Sequence, residues 1–330
     1  TIDRTKPFLN TITTNDYATS DTPTLKIGDQ VDILLNFDNT VKLANGNIIV
    51  TFNTTNTAGT ATVTPASGDQ TLTATYTVSE GESTARLDVS SVALDPDDGD
   101  VTLTDNPTYA ADNSTHKPNN IDEASGFTPV TDFITGGWNI AVDGVYPFIS
   151  NMTSDTDNGT YGIGDVISVT VNFNEEVTSN NTLAIPFGLT SNISFAAITT
   201  AATSATATYT VVENDNVAAL DVTSAAINNG TIVDAAGNEL QTAGLTLPAS
   251  SNLTDVPKTI VIDGVRPAAP SISSVDPAGG SALLSNASDY TSYYNATNTG
   301  VNITVDFDNA NDASMENGKI RIEGRVGTSN

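Results

Sequence analysis

Apolar and polar residues alternate with a two-residue period in three similar stretches of the chain. In residues 31–37 every second position is apolar, and Leu34 alone interrupts the polar face. Residues 167–173 follow the same alternation without an interruption, and residues 301–307 form a third copy. Such alternation is typical of a β-strand that buries one face. The three stretches therefore predict equivalent strands of an internal repeat.

A second shared block follows the first two of these strands. Residues 74–78 read Ala-Thr-Tyr-Thr-Val and are followed by Leu-Asp-Val at 87–89, and residues 207–211 and 220–222 repeat both pieces. A short polar segment separates the pieces, so we expect a hairpin in each copy. No segment shows a sustained helical period, and turn residues recur at the spacing of antiparallel sandwiches. The pattern predicts an all-β fold of tandem Ig-like antiparallel β-sandwiches joined end to end.

Three copies of one phrase, with an Asp followed four positions later by Pro, divide the chain at residues 2–7, 142–147 and 262–267. Pro fixes φ and has no N–H, so a strand ladder ends there. Gly144 and Gly264 predict backbone angles that other residues avoid. We interpret the phrases as joints. The predicted parts are the end of a preceding unit at 1–9, a first unit at 10–143 with an insertion at 106–138, a second unit at 144–264, and an incomplete third unit at 265–330.

Composition narrows the choice of partners and surroundings. The 330 residues carry a formal net charge of -28, which disfavours nucleic acid and anionic membrane surfaces as partners. This acidity fits metal cations, a salty medium or plain solubility. There is no cysteine, so neither disulfides nor thiol chemistry contribute. The sequence contains no run of 18 apolar residues, so we expect no membrane insertion in this segment. We expect an extracellular, cell-surface chain that is processed or belongs to a longer polypeptide.

The segment 155–165 contains the strongest candidate metal ligands. Asp155, Asp157 and the side-chain oxygen of Asn158 lie close together before a glycine, and Asp165 ends the segment. Hard oxygen ligands of this kind suit calcium. An EF-hand is excluded because Val166 occupies the position of its bidentate glutamate. The segment is either a calcium loop or a solvated turn, since Asp, Asn and Gly are also ordinary turn residues.

Two further groups of acids are candidate calcium ligands. Asp3, Asp143 and Asp263 occupy the joints, where each either shares a cation between two units or caps a turn. Another acidic cluster is either a metal loop or a solvated turn, and its members are Asp95, Asp97, Asp98 and Asp100.

The direction of the strands predicts where the 155–165 segment lies. If the first strand of the second unit crosses its sheet once, the segment reaches the end of the unit that carries Asp263. We then expect Asp155 and Asp157 to share a coordination shell with Asp263, as a clamp between the second and third units.

Two glutamates, Glu175 and Glu176, follow the repeated strand of the second unit. Because this strand runs back along the sheet, it should bring both glutamates to the end near Asp143. We interpret them as ordinary turn acids.

The motifs together resemble a known group of repeats. The Ile-Asp-Gly-x-x-Pro joint, Tyr-Gly-Ile-Gly-Asp at 161–165, the Val-x-Val-x-Phe strand and Asp-Ala-Ala-Gly-Asn at 234–238 are similar to microbial Ig-like repeats of large cell-surface proteins. That group includes stalks of calcium-dependent adhesins and S-layer-type subunits. The resemblance covers residues 142–267 best, and residues 2–141 lack the Gly-Asn piece. It implies a secreted structural chain whose partners are neighbouring repeats or identical subunits.

Two alternatives to a structural role depend on other residues. Catalysis has little support, because His116 is the single histidine and no phosphate loop or zinc spacing occurs, so we expect no enzyme. A carbohydrate- or surface-binding module would use the 106–138 insertion, whose aromatic side chains could stack on surface glycans if exposed and would serve packing if buried. These aromatics are Tyr109, Phe127, Phe133 and Trp138.

Overall fold

The computed structural model describes residues 6–56, 58–95, 101–105, 127, 133, 136–222, 231–245, 253, 258–279, 297 and 299–306. Within these ranges the chain is all-β, with one short 3-10 helix at Thr242–Leu245 and no α-helix. The predicted all-β class is confirmed. In the same ranges we find no helix with the length and apolar character needed to cross a membrane.

Among the described residues, the first unit contains ten strands in three sheets. One sheet has the order β1-β3-β6 with β9 also paired to β3, the second has the order β2-β10-β7, and the third has the order β5-β4-β8. All pairs are antiparallel except β2 with β10. The strands are β1 Leu9–Thr13, β2 Thr24–Lys26, β3 Gln30–Ala44, β4 Ile48–Phe52, β5 Thr60–Val63, β6 Ala66–Thr77, β7 Ser83–Thr84, β8 Val89–Leu94, β9 Thr102–Asp105 and β10 Ala141–Asp143.

The second unit repeats this arrangement. Its sheets have the orders β11-β13-β16 with β18 on β13, β12-β19-β17, and β14-β15, and β12 pairs with β19 in parallel. The strands are β11 Ile149–Thr153, β12 Gly159–Gly162, β13 Val166–Ser179, β14 Leu183–Ile185, β15 Ile193–Phe195, β16 Ala202–Thr210, β17 Asn216–Val217, β18 Ile232–Val233 and β19 Ile260–Asp263.

The predicted alternation is present in both long strands. On β3 the side chains of residues 31, 33, 35 and 37 are buried, and on β13 those of residues 167, 169, 171 and 173 are buried. Each set joins a separate hydrophobic core, one built from residues between 9 and 142 and the other from residues between 149 and 262. The removal of these apolar faces from water is the main stabilising contribution in each unit.

The expected hairpins do not form. Strand β6 pairs with β3, whereas β7 pairs with β10 and β8 with β4, so the two pieces of the shared block lie in different sheets. In the second unit β16 pairs with β13, whereas residues 220–222 form no strand and the Leu220 N–H donates to the Ile260 carbonyl on β19. Tyr76 on β6 and Leu87, which lies between β7 and β8, are both fully buried in the first core. The chain therefore crosses between sheets after residue 78.

The first strand of the second unit changes sheets halfway along. Strand β11 pairs with β13 as far as Thr153 opposite Thr170, and β12 then pairs with β19, with Gly159 opposite Ile260. The kink is held by Ser154, whose Oγ donates to the Ser168 carbonyl. The chain thus changes sheets after Thr153, and β12 still carries it to Asp263, which lies opposite Gly162.

The segment after the second unit forms a two-stranded antiparallel sheet of β20 Ser271–Ala278 and β21 Gly300–Asp306. Its apolar side chains remain largely exposed, with 55% for Ile272 and 47% for Val301. Two strands alone are marginally stable in water. Phe307 lies outside the described residues, and the incomplete third unit at 265–330 stays a prediction.

Candidate metal centre at the joint between two units

The glycine of each joint is required by close packing. A Cβ on Gly144 would overlap the Ser79 carbonyl and lie 2.6 Å from the Glu82 carbonyl oxygen. The Gly144 N–H donates to that Glu82 carbonyl at 2.7 Å. Gly264 packs in the same way, with the Asp215 carbonyl 2.8 Å from the Cβ position. Neither glycine has a positive φ, so close packing and not a left-handed backbone accounts for glycine at these positions.

A buried acid supports the turn that contacts each joint glycine. In the first unit Glu82 is 4% exposed and accepts hydrogen bonds from the Tyr76 hydroxyl at 2.6 Å and the Ser79 N–H at 3.0 Å. Burial, followed by the neighbouring Glu82 carboxylate, raises the pKa of Tyr76 above its ordinary value. The sequence does carry a signal for this pair, because an acid follows the tyrosine by six positions in both units.

The acid of the second unit is Asp215, which is fully buried. It accepts hydrogen bonds from the Tyr209 hydroxyl, the Val212 N–H, and both the N–H and the hydroxyl of Thr190, at 2.8 to 2.9 Å. Burial raises the pKa of Asp215, but these four bonds outweigh burial and hold the pKa below its ordinary value.

One side chain connects the two units at the 142–147 joint. Asn238 is 3% exposed, and its Nδ2 donates to the Asp143 carbonyl at 2.8 Å. Its Oδ1 accepts from the Ile27 N–H at 3.0 Å, so the amide bridges two segments of the first unit. Asp234 orients this amide by accepting from Asn238 Nδ2 at 2.8 Å and from the Asn238 N–H at 2.9 Å.

Three carboxylates converge beside this amide. Asp143 ends the last strand of the first unit, Glu175 lies on β13, and Asp234 follows β18. One potential ligand atom from each of the three lies within 4.8 Å of the other two, which is the only such acidic group among the described residues. Of these acids only Asp143 was a predicted ligand. Glu175 was interpreted as a turn acid, although the strand direction correctly placed it near Asp143.

The electrostatics of the triad favour a cation. Burial raises the pKa of Glu175 to about 7; the Asn174 amide opposes this shift, and Asp143 and Asp234 add to it. Burial also raises the pKa of Asp143, against a hydrogen bond from the Val145 N–H and together with the charge of Asp234. In the described part of the chain no lysine or arginine forms an ion pair with the triad. A bound cation would relieve the repulsion among these acids.

Calcium fits the donor set. It takes six to eight oxygen ligands at about 2.3–2.6 Å, so oxygens on opposite sides of the ion lie about 5 Å apart. The spread of 4.8 Å within the triad is compatible with that arrangement. Each carboxylate oxygen has two lone pairs, so a hydrogen bond such as that from the Val145 N–H to Asp143 Oδ1 leaves capacity for a metal.

The predicted 155–165 loop lies elsewhere. The Lys258 ammonium donates to the Thr156 carbonyl at 2.7 Å, and the Thr259 N–H donates to Asn158 Oδ1 at 2.9 Å. Thr156 and Asn158 therefore lie beside residues 258 and 259, four to five residues or about 13–17 Å before Asp263 at the rise of a strand.

The far end of the 155–165 segment does lie beside Asp263, as the strand direction predicted, because Gly162 pairs with Asp263. A coordination shell shared by Asp155, Asp157 and Asp263 stays a prediction. Gly162 is the residue of this segment in register with Asp263, and its N–H donates to the Asp165 carboxylate at 2.8 Å. Calcium binding by the loop residues themselves stays a prediction.

The remaining candidate ligands form no described cluster. Asp95 is partly buried, and its N–H donates to the Asn47 carbonyl at 3.0 Å. Asp3, Asp97, Asp98 and Asp100 lie outside the described residues.

The aromatic side chains described in the insertion contribute to packing. Phe127 and Phe133 are buried in the first core. Trp138 packs against Phe133 with ring centroids 6.0 Å apart, and its Nε1 donates to the Tyr17 carbonyl. These three rings do not form an exposed stacking row. Tyr109 and His116 lie outside the described residues.

Comparisons of the chain with models of known protein families and with curated proteins found no match.

Proposed function

We propose that this chain is a non-catalytic, extracellular structural segment of a large cell-surface protein. Its Ig-like units stand end to end, and calcium stiffens the joints between them. The partners are neighbouring repeats or identical subunits, in an adhesin stalk or a surface layer. The observation that carries the proposal is the meeting of Asp143 from the first unit with Glu175 and Asp234 from the second.

The joint has the features of a stiff connection. The Asn238 amide ties the second unit to the Asp143 carbonyl and to the Ile27 N–H, which belong to neighbouring strands of the first unit. Bending the joint would break these hydrogen bonds inside a buried site. A cation bound by the triad would add ligand bonds between the same two units, so ion binding and a fixed angle between the units support each other.

The test is a comparison of the chain with calcium and with excess chelator. Calcium at a hundred times its dissociation constant should stabilise the folded chain by about 2.7 kcal/mol, since only the folded state assembles the triad. X-ray scattering should show a narrower distribution of particle lengths with calcium. Identical melting curves and identical scattering profiles in the two conditions would contradict calcium stiffening.

Three variants locate the ion. Glu175→Gln keeps the shape of the side chain and the acceptor used by Asn174, but should weaken calcium binding about tenfold or more because it removes one charge of the triad. Glu176→Gln removes the same charge from the neighbouring exposed position and should leave binding unchanged. If Asp155→Asn abolishes binding and Glu175→Gln does not, the ion lies in the 155–165 loop and the joint site is wrong.

A further inference from the structure

The second unit ends in the same local structure that holds the 142–147 joint. In the first unit β2 pairs in parallel with β10, and Lys26 lies opposite Asp143. In the second unit β12 pairs in parallel with β19, and Gly162 lies opposite Asp263. Residue 163 is therefore the equivalent of Ile27, and residue 265 is the equivalent of Val145.

The groups that Asn238 binds in the first unit have counterparts here. The Asn238 side chain accepts a hydrogen bond from the Ile27 N–H at 3.0 Å. It donates to the Asp143 carbonyl at 2.8 Å and to the Val145 carbonyl at 3.4 Å. The counterparts are the Ile163 N–H and the carbonyls of Asp263 and Val265. Within the described ranges, no side chain accepts a hydrogen bond from the Ile163 N–H.

Apolar side chains are also exposed at this end. The side chains of Ile27 and Val145 are partly buried where the second unit contacts them. Their equivalents Ile163 and Val265 are 41% and 40% exposed. Val166 and Val212, which are 57% and 43% exposed, extend this surface. We name the surface formed by Ile163, Val166, Val212 and Val265 the downstream face. An exposed apolar cluster of this kind is typical of an interaction site.

We infer that the downstream face docks another β-sandwich unit, one that carries an Asp-x-x-Gly-Asn loop placed as residues 234–238 are in the second unit. The Asn amide of that loop accepts a hydrogen bond from the Ile163 N–H and donates one to the Asp263 carbonyl. Acids equivalent to Glu175 and Asp234 come to lie beside the Asp263 carboxylate. Apolar contacts cover Val166 and Val212, where the first unit has the polar residues Gln30 and Ser79.

The docked unit is of the same type as the second unit, because the 142–147 joint in this chain shows that such a unit fits such an end. Residues 268–330 contain no Asp-x-x-Gly-Asn sequence, so residues outside these 330 supply the loop. The inference rests on the proposed end-to-end arrangement of units. It does not depend on calcium, since the amide contacts at the 142–147 joint involve no ion.

The experiment places a suitable unit on the downstream face. In the full chain, residues 268–330 are replaced by a second copy of residues 148–267, directly after Pro267. Hydrogen exchange is then followed at the Ile163 amide, with the Ile27 amide of the same molecule as reference. We expect exchange at Ile163 to become slower by about tenfold or more than in the 330-residue chain, and to approach that at Ile27.

The matched control carries Asn238→Ala in the added copy only, and should lose the protection at Ile163 while keeping it at Ile27. A second version has a flexible Gly-Ser linker after Pro267, so that the added copy can fold independently of the joint geometry. If the added copy is folded in either version and Ile163 exchanges as fast as in the 330-residue chain, the inference is overturned. Protection that appears equally with calcium and with chelator supports the docking face, and calcium stiffening is judged separately by the melting curves and scattering profiles.

Discussion

Replacement of Asp215 by alanine should destabilise the second unit strongly. The carboxylate is fully buried and accepts four hydrogen bonds, two of them from the backbone N–H groups of Thr190 and Val212. It also holds the turn whose carbonyl receives the Gly264 N–H at 2.6 Å. The substitution therefore affects both the core of the unit and the support of the 262–267 joint.

The size of the effect follows from the groups left without an acceptor. A buried donor that loses its partner costs about 1–3 kcal/mol, and two backbone N–H groups are affected. The hydroxyls of Tyr209 and Thr190 can rotate towards other acceptors, so they add less. We expect the free energy of unfolding of the second unit to fall by about 3–4 kcal/mol.

Denaturant unfolding followed by hydrogen exchange in the second core measures this loss. Tyr209→Phe removes one of the four donors and should cost about 1 kcal/mol. Glu213→Ala removes a neighbouring charge whose ion pair with Arg266 is solvent-exposed, and should leave the stability of the unit nearly unchanged. A loss below about 1 kcal/mol for Asp215→Ala would refute the reasoning that the four bonds satisfy an essential buried acid.

The pH dependence of the same residue gives an independent check. Its pKa is lower in the folded chain than in the unfolded chain, where it has its ordinary value. The carboxylate therefore contributes stability that is fully present above the unfolded-state pKa of about 3.9 and is lost as the pH falls through the folded-state pKa. The Asp215→Ala chain should lack this part of the acid-induced loss of stability.

Three further outcomes are expected. Gly144→Ala should destabilise the first unit by several kcal/mol, because the added Cβ would lie 2.6 Å from the Glu82 carbonyl oxygen, and thermal melting should show it. Asn238→Ala should weaken the coupling between units by about 1–3 kcal/mol, the worth of two hydrogen bonds, and faster exchange at the Ile27 amide should report it. Calcium affinity measured by calorimetry should decrease as the pH is lowered from about 8 to about 6, because protons compete with calcium for Glu175, whose pKa is about 7. Glu175→Gln should remove most of this pH dependence.

The sequence predicted the strands because their signal is local. A two-residue alternation decides which side chains of one strand are buried, and the alternation in residues 31–37 and 167–173 matches the burial in the structure. The pairing partners were predicted less well. Pairing depends on the sheet to which the chain returns: β6 pairs with β3 and β8 pairs with β4, so a crossing between sheets takes the place of the expected hairpin.

The candidate metal centre shows the same division. Asp143 was predicted as a ligand because its position in the repeated joint is visible in the sequence. Glu175 and Asp234 were not, since they are about 30 and 90 residues away along the chain and only the docking of one unit on another unites them.

The sequence alone determined the β class and the buried face of the long strands, because strand periodicity acts over a few residues. Tertiary structure decided which acids meet. The sheet change after β11 put Thr156 and Asn158 beside the beginning of β19, and the turn around Asp234 brought Asn238 onto the first unit. Gly144 illustrates the contributions of both sequence and tertiary structure. Its position is visible in the repeated phrase of the sequence, and the close approach of the Glu82 carbonyl explains why no side chain fits there.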